Sequence, residues 1–375
     1  MGPRIYLDHA ATTPIVPEAR AEMADALMKW HNPNSPHAEG RASRAALEEA
    51  RARIKRAFGW NGELIFTSGA SEALEIALGR TDRRVLASAV EHEAVFRAAP
   101  DARLLPLGPK AQVSLEALDR ELRAGPPPLV AIQHVNSETG VGQPVGSYAQ
   151  AVRAAGGLLL SDCSQSAGKA PLPDADLIVV SAHKLGGPPG IGALLVRDLG
   201  MLRAIGGQEF GYRAGTQNVP AALGFAAATE AFQIRKPTRF PDGLPMVGWL
   251  DELGHSILDI DYPIGQAGGK WQPASTSFED APSHAGWIAA LTMPGVSAHA
   301  QLIRFDAAGI ALSAGSACSS GALKPSRVLS AFGVPDDEAA CTIRVSFGWS
   351  TTAADIATFF TTWLDMAAGA GVRAA

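Results

Sequence analysis

A chain of 375 residues with 47% hydrophobic and 18% charged residues can bury a sizeable core and carries too little charge to stay disordered. Its net charge of −5, from 32 Lys+Arg against 37 Asp+Glu, excludes a basic field for nucleic acid, and an aromatic share of 6% excludes a stacking platform for bases. The three cysteines, Cys163, Cys318 and Cys341, are odd in number and far apart, which excludes a disulfide framework and a thiolate zinc site and points to a reducing compartment.

At ~150 residues per domain the length predicts one large or two unequal domains. The first residues lack the apolar core of a signal peptide, and no apolar run approaches the ~20 residues of a membrane span, so a soluble cytoplasmic protein is expected.

In chain order, a helix is predicted from Pro17 with Ala19, Met23, Ala26 and Leu27 on one face. A second runs from Gly40 to Phe58 with Ala46, Leu47, Ala50 and Ile54 inward, and Gly59 stops it. Strands are predicted at Glu63–Phe66, Val85–Ala89, Arg103–Leu107, Leu129–His134, Gly157–Ser161, Asp176–Ser181 and Gly192–Val196, with helices at Ser71–Leu78, Leu115–Arg123 and Tyr148–Ala155. Runs such as Leu158-Leu159-Leu160 and Leu177-Ile178-Val179-Val180 are apolar throughout, as strands covered on both faces are. Alternating strands and helices imply a mainly parallel α/β sheet with helices on both faces, and ligands beyond the carboxyl ends of its strands. Six prolines interrupt the pattern between Lys236 and His284. Order returns in a helix over Ser297–Ala308, a strand over Thr342–Phe347 and a helix over Ala353–Ala367. The expected division is a large cofactor-binding domain over residues 12–245, and a smaller α+β domain built from 1–11 and 246–375.

Two polar constellations follow apolar strands: Asp162-Cys163-Ser164-Gln165 and Ser181-Ala182-His183-Lys184. A carboxylate and a lysine at the ends of different strands can share one pocket. There a desolvated lysine becomes an amine nucleophile for Schiff-base chemistry, and the carboxylate can hold the protonated ring nitrogen of pyridoxal phosphate. Either residue alone serves equally as a strand cap or half of an ion pair. Thr67-Ser68-Gly69-Ala70-Ser71-Glu72 passes from strand through glycine into helix, a turn that suits a phosphate and equally an ordinary N-cap. The Ser166–Ala170 and Gly186–Gly192 stretches fail the phosphate-loop and dinucleotide patterns. In Ser313–Gly321 small residues surround Cys318, a candidate nucleophile or a bystander in a linker. Cys163 and Cys341 read as packing residues, and His92 reads as structural or as a ring-stacking proton shuttle.

Together these segments resemble the cysteine desulfurases of the class V aminotransferase family, pyridoxal-phosphate enzymes of fold type I. The resemblance runs through Tyr6–Pro14, Asn32–His37, Ser68–Glu72, Glu91-His92, His134–Gly140, Asp162–Gln165, Ser181–Lys184, Gly206–Glu209, Arg213–Thr216 and the loop around Cys318. It implies that Lys184 carries the cofactor and moves the substrate α-proton. Asp162 would pair with the ring nitrogen, Gln165 contact the ring oxygen, and His92 stack on the ring. Ser71 and the N–H groups around Ala70 would bind phosphate with Ser181 and His183, joined by Thr216 from the partner subunit of a homodimer. Asn136 and Arg344 would hold the carboxylate of L-cysteine, Arg344 as a bidentate pair. Cys318 would take the sulfur as a persulfide, leaving alanine, for a protein acceptor whose identity stays open between iron–sulfur assembly and thio-cofactor or transfer-RNA thiolation.

Three departures stand out. Cys163 replaces a small residue, Trp349 stands near positions where many relatives carry a base, and the chain ends soon after Arg344. Another class V enzyme, a selenocysteine lyase or an aminotransferase, would share Lys184 and Asp162, and an aminotransferase has no use for Cys318.

Overall fold

The computed structural model describes residues 4–108, 111–234, 285–293, 295–314 and 326–369. The Pro-rich segment between Lys236 and His284, and the loop carrying Cys318, lie outside them.

A short strand, β1 (Ile5–Tyr6), precedes α1 (Pro17–Lys29), which starts on a proline whose missing N–H is no loss in a first turn. Ala19 and Ala26, two turns apart, are buried, but Leu27, expected on the same face, is 60% exposed. One residue on from Ala26 is a rotation of about 100°, enough to carry it off the narrow buried stripe. Helix α2 (Ala38–Phe58) is capped by His37, whose Nδ1 accepts from Gly40 N at 3.2 Å, and it ends at Gly59 with φ +64°.

All seven early strands fall in one sheet: β2 (Glu63–Thr67), β3 (Val85–Ser88), β4 (Arg103–Leu105), β5 (Leu129–Ala131), β6 (Leu158–Asp162), β7 (Leu177–Ser181) and β8 (Gly192–Val196). Their order is β2-β8-β7-β6-β5-β3-β4. Every pair is parallel except those of β8, which runs antiparallel to both β2 and β7. With β8 alone reversed, β2, β3, β5, β6 and β7 all deliver their carboxyl ends to the same edge.

Residues alternate cleanly between the two faces. Leu64, Phe66, Val130, Leu159, Ile178, Val180 and Leu195 pack with α2, α6 (Val145–Ala154) and α7 (Val219–Ile234) through Leu47, Ile54, Tyr148, Phe225 and Phe232. Ile65, Ala131, Leu160, Leu177, Val179 and Leu194 pack with α3 (Ala70–Leu78) and α4 (Glu93–Ala98) through Leu74, Ile76 and Val95. Helix α5 (Leu115–Arg123) adds Leu118 and Leu122 to the first face. Each such side chain, taken fully out of water, contributes roughly 1.5–3 kcal/mol.

A second core lies beyond the sheet edge. Strands β9 (Ile288–Thr292) and β11 (Thr342–Ser346) pair antiparallel, and β1 pairs parallel with β10 (Ile310–Ala311). They pack with α8 (Ala298–Ala307) and α11 (Ala353–Gly369) through Leu7, Trp287, Leu291, Phe305, Ile343, Phe359, Phe360 and Trp363. Phe305 and Phe359 stack at 5.1 Å between ring centroids. Two short helices, α9 (Arg327–Ala331) and α10 (Asp336–Ala339), lead into β11. This core meets the sheet edge directly: Trp287 Nε1 donates to Gln165 O at 3.2 Å, and Ala285 N to Gly140 O at 2.8 Å.

Candidate active site

Residues Ala70 and Ser71 follow β2, Glu91 and His92 follow β3, and His134 and Asn136 follow β5. Asp162 closes β6 and leads to Gln165, and Ser181 closes β7 and leads to His183 and Lys184. They therefore share one edge, facing the second core. Among the described residues, six buried side-chain atoms without a hydrogen-bond partner lie on or against this edge: His9 Nδ1, Glu91 Oε2, Ser164 Oγ, Gln165 Oε1, Lys169 Nζ and Arg344 Nε. Leaving such a group unpaired costs about 1–3 kcal/mol, so their concentration marks a place built to receive something polar.

Lys184 ends a single 3-10 turn after β7 and is half-buried. The Thr12-Thr13 pair fastens its backbone: Thr13 N donates to His183 O at 2.8 Å, Thr13 Oγ1 to Lys184 O at 3.0 Å, and His183 Nδ1 meets Thr12 Oγ1 at 3.0 Å. The bases around it are shifted towards their neutral forms, first by burial and then by the Lys184 charge: Lys169 falls to about 7, His183 to about 4, and His92 also falls. His92 caps α4, its Nδ1 accepting from Ala94 N at 3.2 Å, which fixes the ring.

Asp162 is buried, with Oδ1 accepting from Ser164 N at 2.8 Å and its carbonyl accepting from His134 N at 2.9 Å. Its charge partly offsets the fall at His92 and adds to the rise that burial causes at Glu91. Glu91, 1% exposed, accepts from Gln133 N through Oε1 at 2.7 Å, and burial pushes its carboxyl well above the usual range. Cys163 is fully buried and its thiol is pushed up to about 12 by desolvation, so it packs rather than reacts. Cys341, expected to be buried, is half-buried.

At the β2 end, α3 starts without a side-chain cap, so its first N–H groups stay available. Gly69 there takes φ +153°, a conformation L-residues rarely adopt, and a Cβ on Gly192 would come within 2.8 Å of Gly69 Cα. Two backbones thus approach closely beside exposed Ser71. Ser181 is buried at the end of β7, and Thr216 is exposed. The stretch leading to Thr216 is tethered by Glu209, which accepts from Arg51 Nη1 at 2.8 Å and Phe66 N at 2.9 Å, and by Arg213, 3.2 Å from Glu72.

The amide groups are more committed than their sequence roles suggest. Asn136 Oδ1 accepts from Glu138 N, Thr139 N and Thr139 Oγ1, and its Nδ2 donates to Val90 O at 3.2 Å. Gln165 Nε2 donates to Ala10 O at 2.9 Å, so the atom it offers the site is Oε1, an acceptor. Arg344 is buried on β11, with Nη1 on Ser137 O at 3.1 Å and Nη2 on Asp8 Oδ1 at 2.9 Å. Cys318 lies outside the described residues. The described residues flanking it are tied here: Ser313 Oγ to Asp8 Oδ1 at 2.9 Å, Ser326 Oγ to Glu138 Oε2 at 2.6 Å, and Arg327 to the carbonyls of Ala89 and Glu91.

Sequence reasoning assigned no part to Thr13, Glu91 or Arg327, and met Lys169 only within a failed phosphate-loop pattern. The one signal for Thr13 and Glu91 was their place inside the motifs that carry the resemblance.

Residues 5–236 match the aminotransferase class-V family model, and the chain belongs to that family. Within it the chain is a member of the cysteine desulfurases, a group of pyridoxal-phosphate-dependent enzymes. It is 33% identical to the putative cysteine desulfurase IscS 1 of Bacillus subtilis, over 95% of this chain and 96% of that one. The X-ray structure of a NifS-like protein from Rickettsia africae matches with TM-score 0.80 at 27% identity, covering 96% of this chain and 99% of that one. The structure of SspA in complex with cysteine matches with TM-score 0.71 at 25% identity, over 93% and 100% of the two chains. Among the described residues no helix is long and apolar enough to cross a membrane.

Proposed function

We propose that this enzyme converts L-cysteine to L-alanine, with the sulfur passing to Cys318 as a persulfide and then to a protein acceptor. The observation that carries this reading is the convergence of Lys184, Asp162, His92 and Arg344 at one sheet edge, among buried polar atoms without partners.

The residues fit pyridoxal phosphate. Lys184 supplies the amine, Asp162 a buried carboxylate for the ring nitrogen, and His92 a fixed imidazole. The uncapped start of α3 at Ala70 and Ser71, with Ser181, His183 and the partner's copy of Thr216 in a homodimer, supplies donors for the phosphate. Gln165 and Asn136 line the ring and the carboxylate. The bound cofactor supplies the electron sink. The chain's own residues do the rest. Lys184 Nζ takes and returns the α-proton among bases that burial shifts towards their neutral forms, and Arg344 orients the carboxylate. Cys318 accepts sulfur, a soft nucleophile for a soft atom.

In this reading residues 12–245 form the cofactor domain, and 1–11 with 246–375 form the domain that carries Cys318. The cytoplasm suits a reaction whose substrate and nucleophile must both stay reduced. Anaerobic mixing with L-cysteine and a thiol reductant tests the proposal. Alanine and sulfide should appear in equal amounts, and Cys318→Ala should abolish both while the cofactor absorbance remains. Unchanged turnover in that variant would remove Cys318 from the mechanism.

A further inference from the structure

The guanidinium of Arg344 is already faced by a carboxylate of this chain. Asp8 Oδ1 lies 2.9 Å from Nη2, and Ser313 Oγ bridges the pair, accepting from Nη2 at 2.8 Å and donating to the same Asp8 oxygen at 2.9 Å. Nη1 is held by Ser137 O at 3.1 Å, which leaves Nε buried without a partner. The backbone of Asp8 is itself fixed, its carbonyl accepting from Ala11 N at 3.1 Å and Tyr6 Oη at 3.2 Å, and the residue bridges to Ser346 at the end of β11. Glu138 also lies within electrostatic reach of Arg344.

We propose that Asp8 is a positioning residue for recognition of the substrate carboxylate: it aims Arg344 into the site and, by neutralising its charge, holds carboxylate affinity down. The inference rests on the reading of Arg344 as the carboxylate-binding residue. Substrate cysteine and product alanine carry the same carboxylate, so a bare buried guanidinium would grip both equally. Uniform binding of that kind lowers KM without raising kcat, and it slows the departure of product. A fixed counter-ion at 2.9 Å opposes that grip, and a hydrogen-bonded ternary arrangement keeps the side chain from swinging away once a second carboxylate arrives.

Two variants separate the charge from the aim. Asp8→Asn is isosteric and keeps an oxygen to accept from Nη2, but it removes the charge. Asp8→Ala removes both. Calorimetric titration of the holoenzyme with L-alanine, and with propionate as a carboxylate that cannot react with the cofactor, reads the effect. Asp8→Asn should bind both ligands on the order of fivefold more tightly, matching the worth of a partly exposed charge pair. Asp8→Ala should bind both more weakly than wild type, and KM for cysteine should move with these affinities. Affinity in Asp8→Asn that is unchanged or weaker overturns the proposal. Arg344→Ala separates the two layers: if it leaves propionate binding intact, the carboxylate assignment of Arg344 fails and the role of Asp8 falls with it. If it abolishes binding while Asp8→Asn changes nothing, only the role of Asp8 fails.

Discussion

Thr13 and Lys184 are joined by a hydrogen bond of 3.0 Å from the threonine hydroxyl to the lysine carbonyl, across 171 residues of sequence. The bond ties the start of the chain to the turn that presents the Lys184 amine, proposed above as catalytic, and the neighbouring Thr13 N to His183 O bond doubles it. The apolar packing of β7 fixes where the strand stops, and this clamp, with the turn's own bonds from Leu185 N and Gly187 N to Ala182 O, holds the turn after it.

Thr13→Ala should therefore leave the Lys184 carbonyl short of a buried partner and cost about 1–3 kcal/mol. Thr13→Ser keeps the hydroxyl and should cost much less. Urea unfolding midpoints measure the stability, and kcat for alanine formation in the two variants shows whether the turn has lost its alignment.

Much of this fold was legible because burial leaves a period in the sequence. All seven sheet strands read as short apolar runs, and the alternation of Leu64, Ile65 and Phe66 between two cores is the reason. Helix α7 left no period to find. It is apolar on all sides because it packs against both α1 and α2. Strand β9 was hidden by Ala289 and Ala290, poor strand formers that serve in a crowded second core. The candidate site was legible residue by residue at Lys184, Asp162 and His92, which the fold brings to one sheet edge. Its supports were not: Asp8 with Arg344 spans 336 residues, and Arg51 with Glu209 spans 158. No local pattern encodes a pair that only the folded chain brings together.

The Arg51–Glu209 pair is almost wholly buried, with side-chain exposures of 6% and 0%. The guanidinium also lies 4.8 Å from the Phe66 ring centroid and 4.9 Å from that of Phe210. Removing Glu209 leaves the buried guanidinium only one carboxylate, the half-exposed Glu48, 2.9 Å from Nε, so Glu209→Gln should cost roughly 3 kcal/mol, the lower end for a broken buried pair. Arg51→Met combined with Glu209→Gln should cost less than the two single changes added together. A double-mutant cycle from unfolding midpoints checks the coupling, and additive losses would show that the charges are not paired in solution.

Two buried histidines, His9 and His134, contribute to the acid limit of the fold. Burial holds His9 and His134 down at about 4, against 6.5 for an unperturbed ring. The unfolded chain binds the extra protons first, so the stability they confer is complete above pH 6.5 and is lost as pH falls towards 4. The loss reaches roughly 3 kcal/mol for each ring at most. Unfolding midpoints should fall between pH 7 and pH 5, and His134→Asn, which keeps a partner for Ser166 Oγ now 2.9 Å from Nδ1, should flatten part of that slope. An unchanged slope in that variant would mean that the His134 ring is not held neutral.

Gly69 separates the strand β2 from the uncapped start of α3, and its φ of +153° is the geometry that turns the first helical N–H groups towards the site. A Cβ added there meets open space, with nothing beyond its chain neighbours within 4 Å, so the cost of Gly69→Ala is backbone strain. That strain is worth about 1–3 kcal/mol and is relieved by rotating the turn. Gly69→Ala should then weaken binding of pyridoxal phosphate by about tenfold, the equivalent of 1.4 kcal/mol, because the phosphate loses aligned donors. Pyridoxal, which lacks the phosphate, should bind the variant and the wild type alike. Apoenzyme titrated with each compound, followed by absorbance, gives both affinities. An equal loss for pyridoxal would show that the turn supports the ring rather than the phosphate.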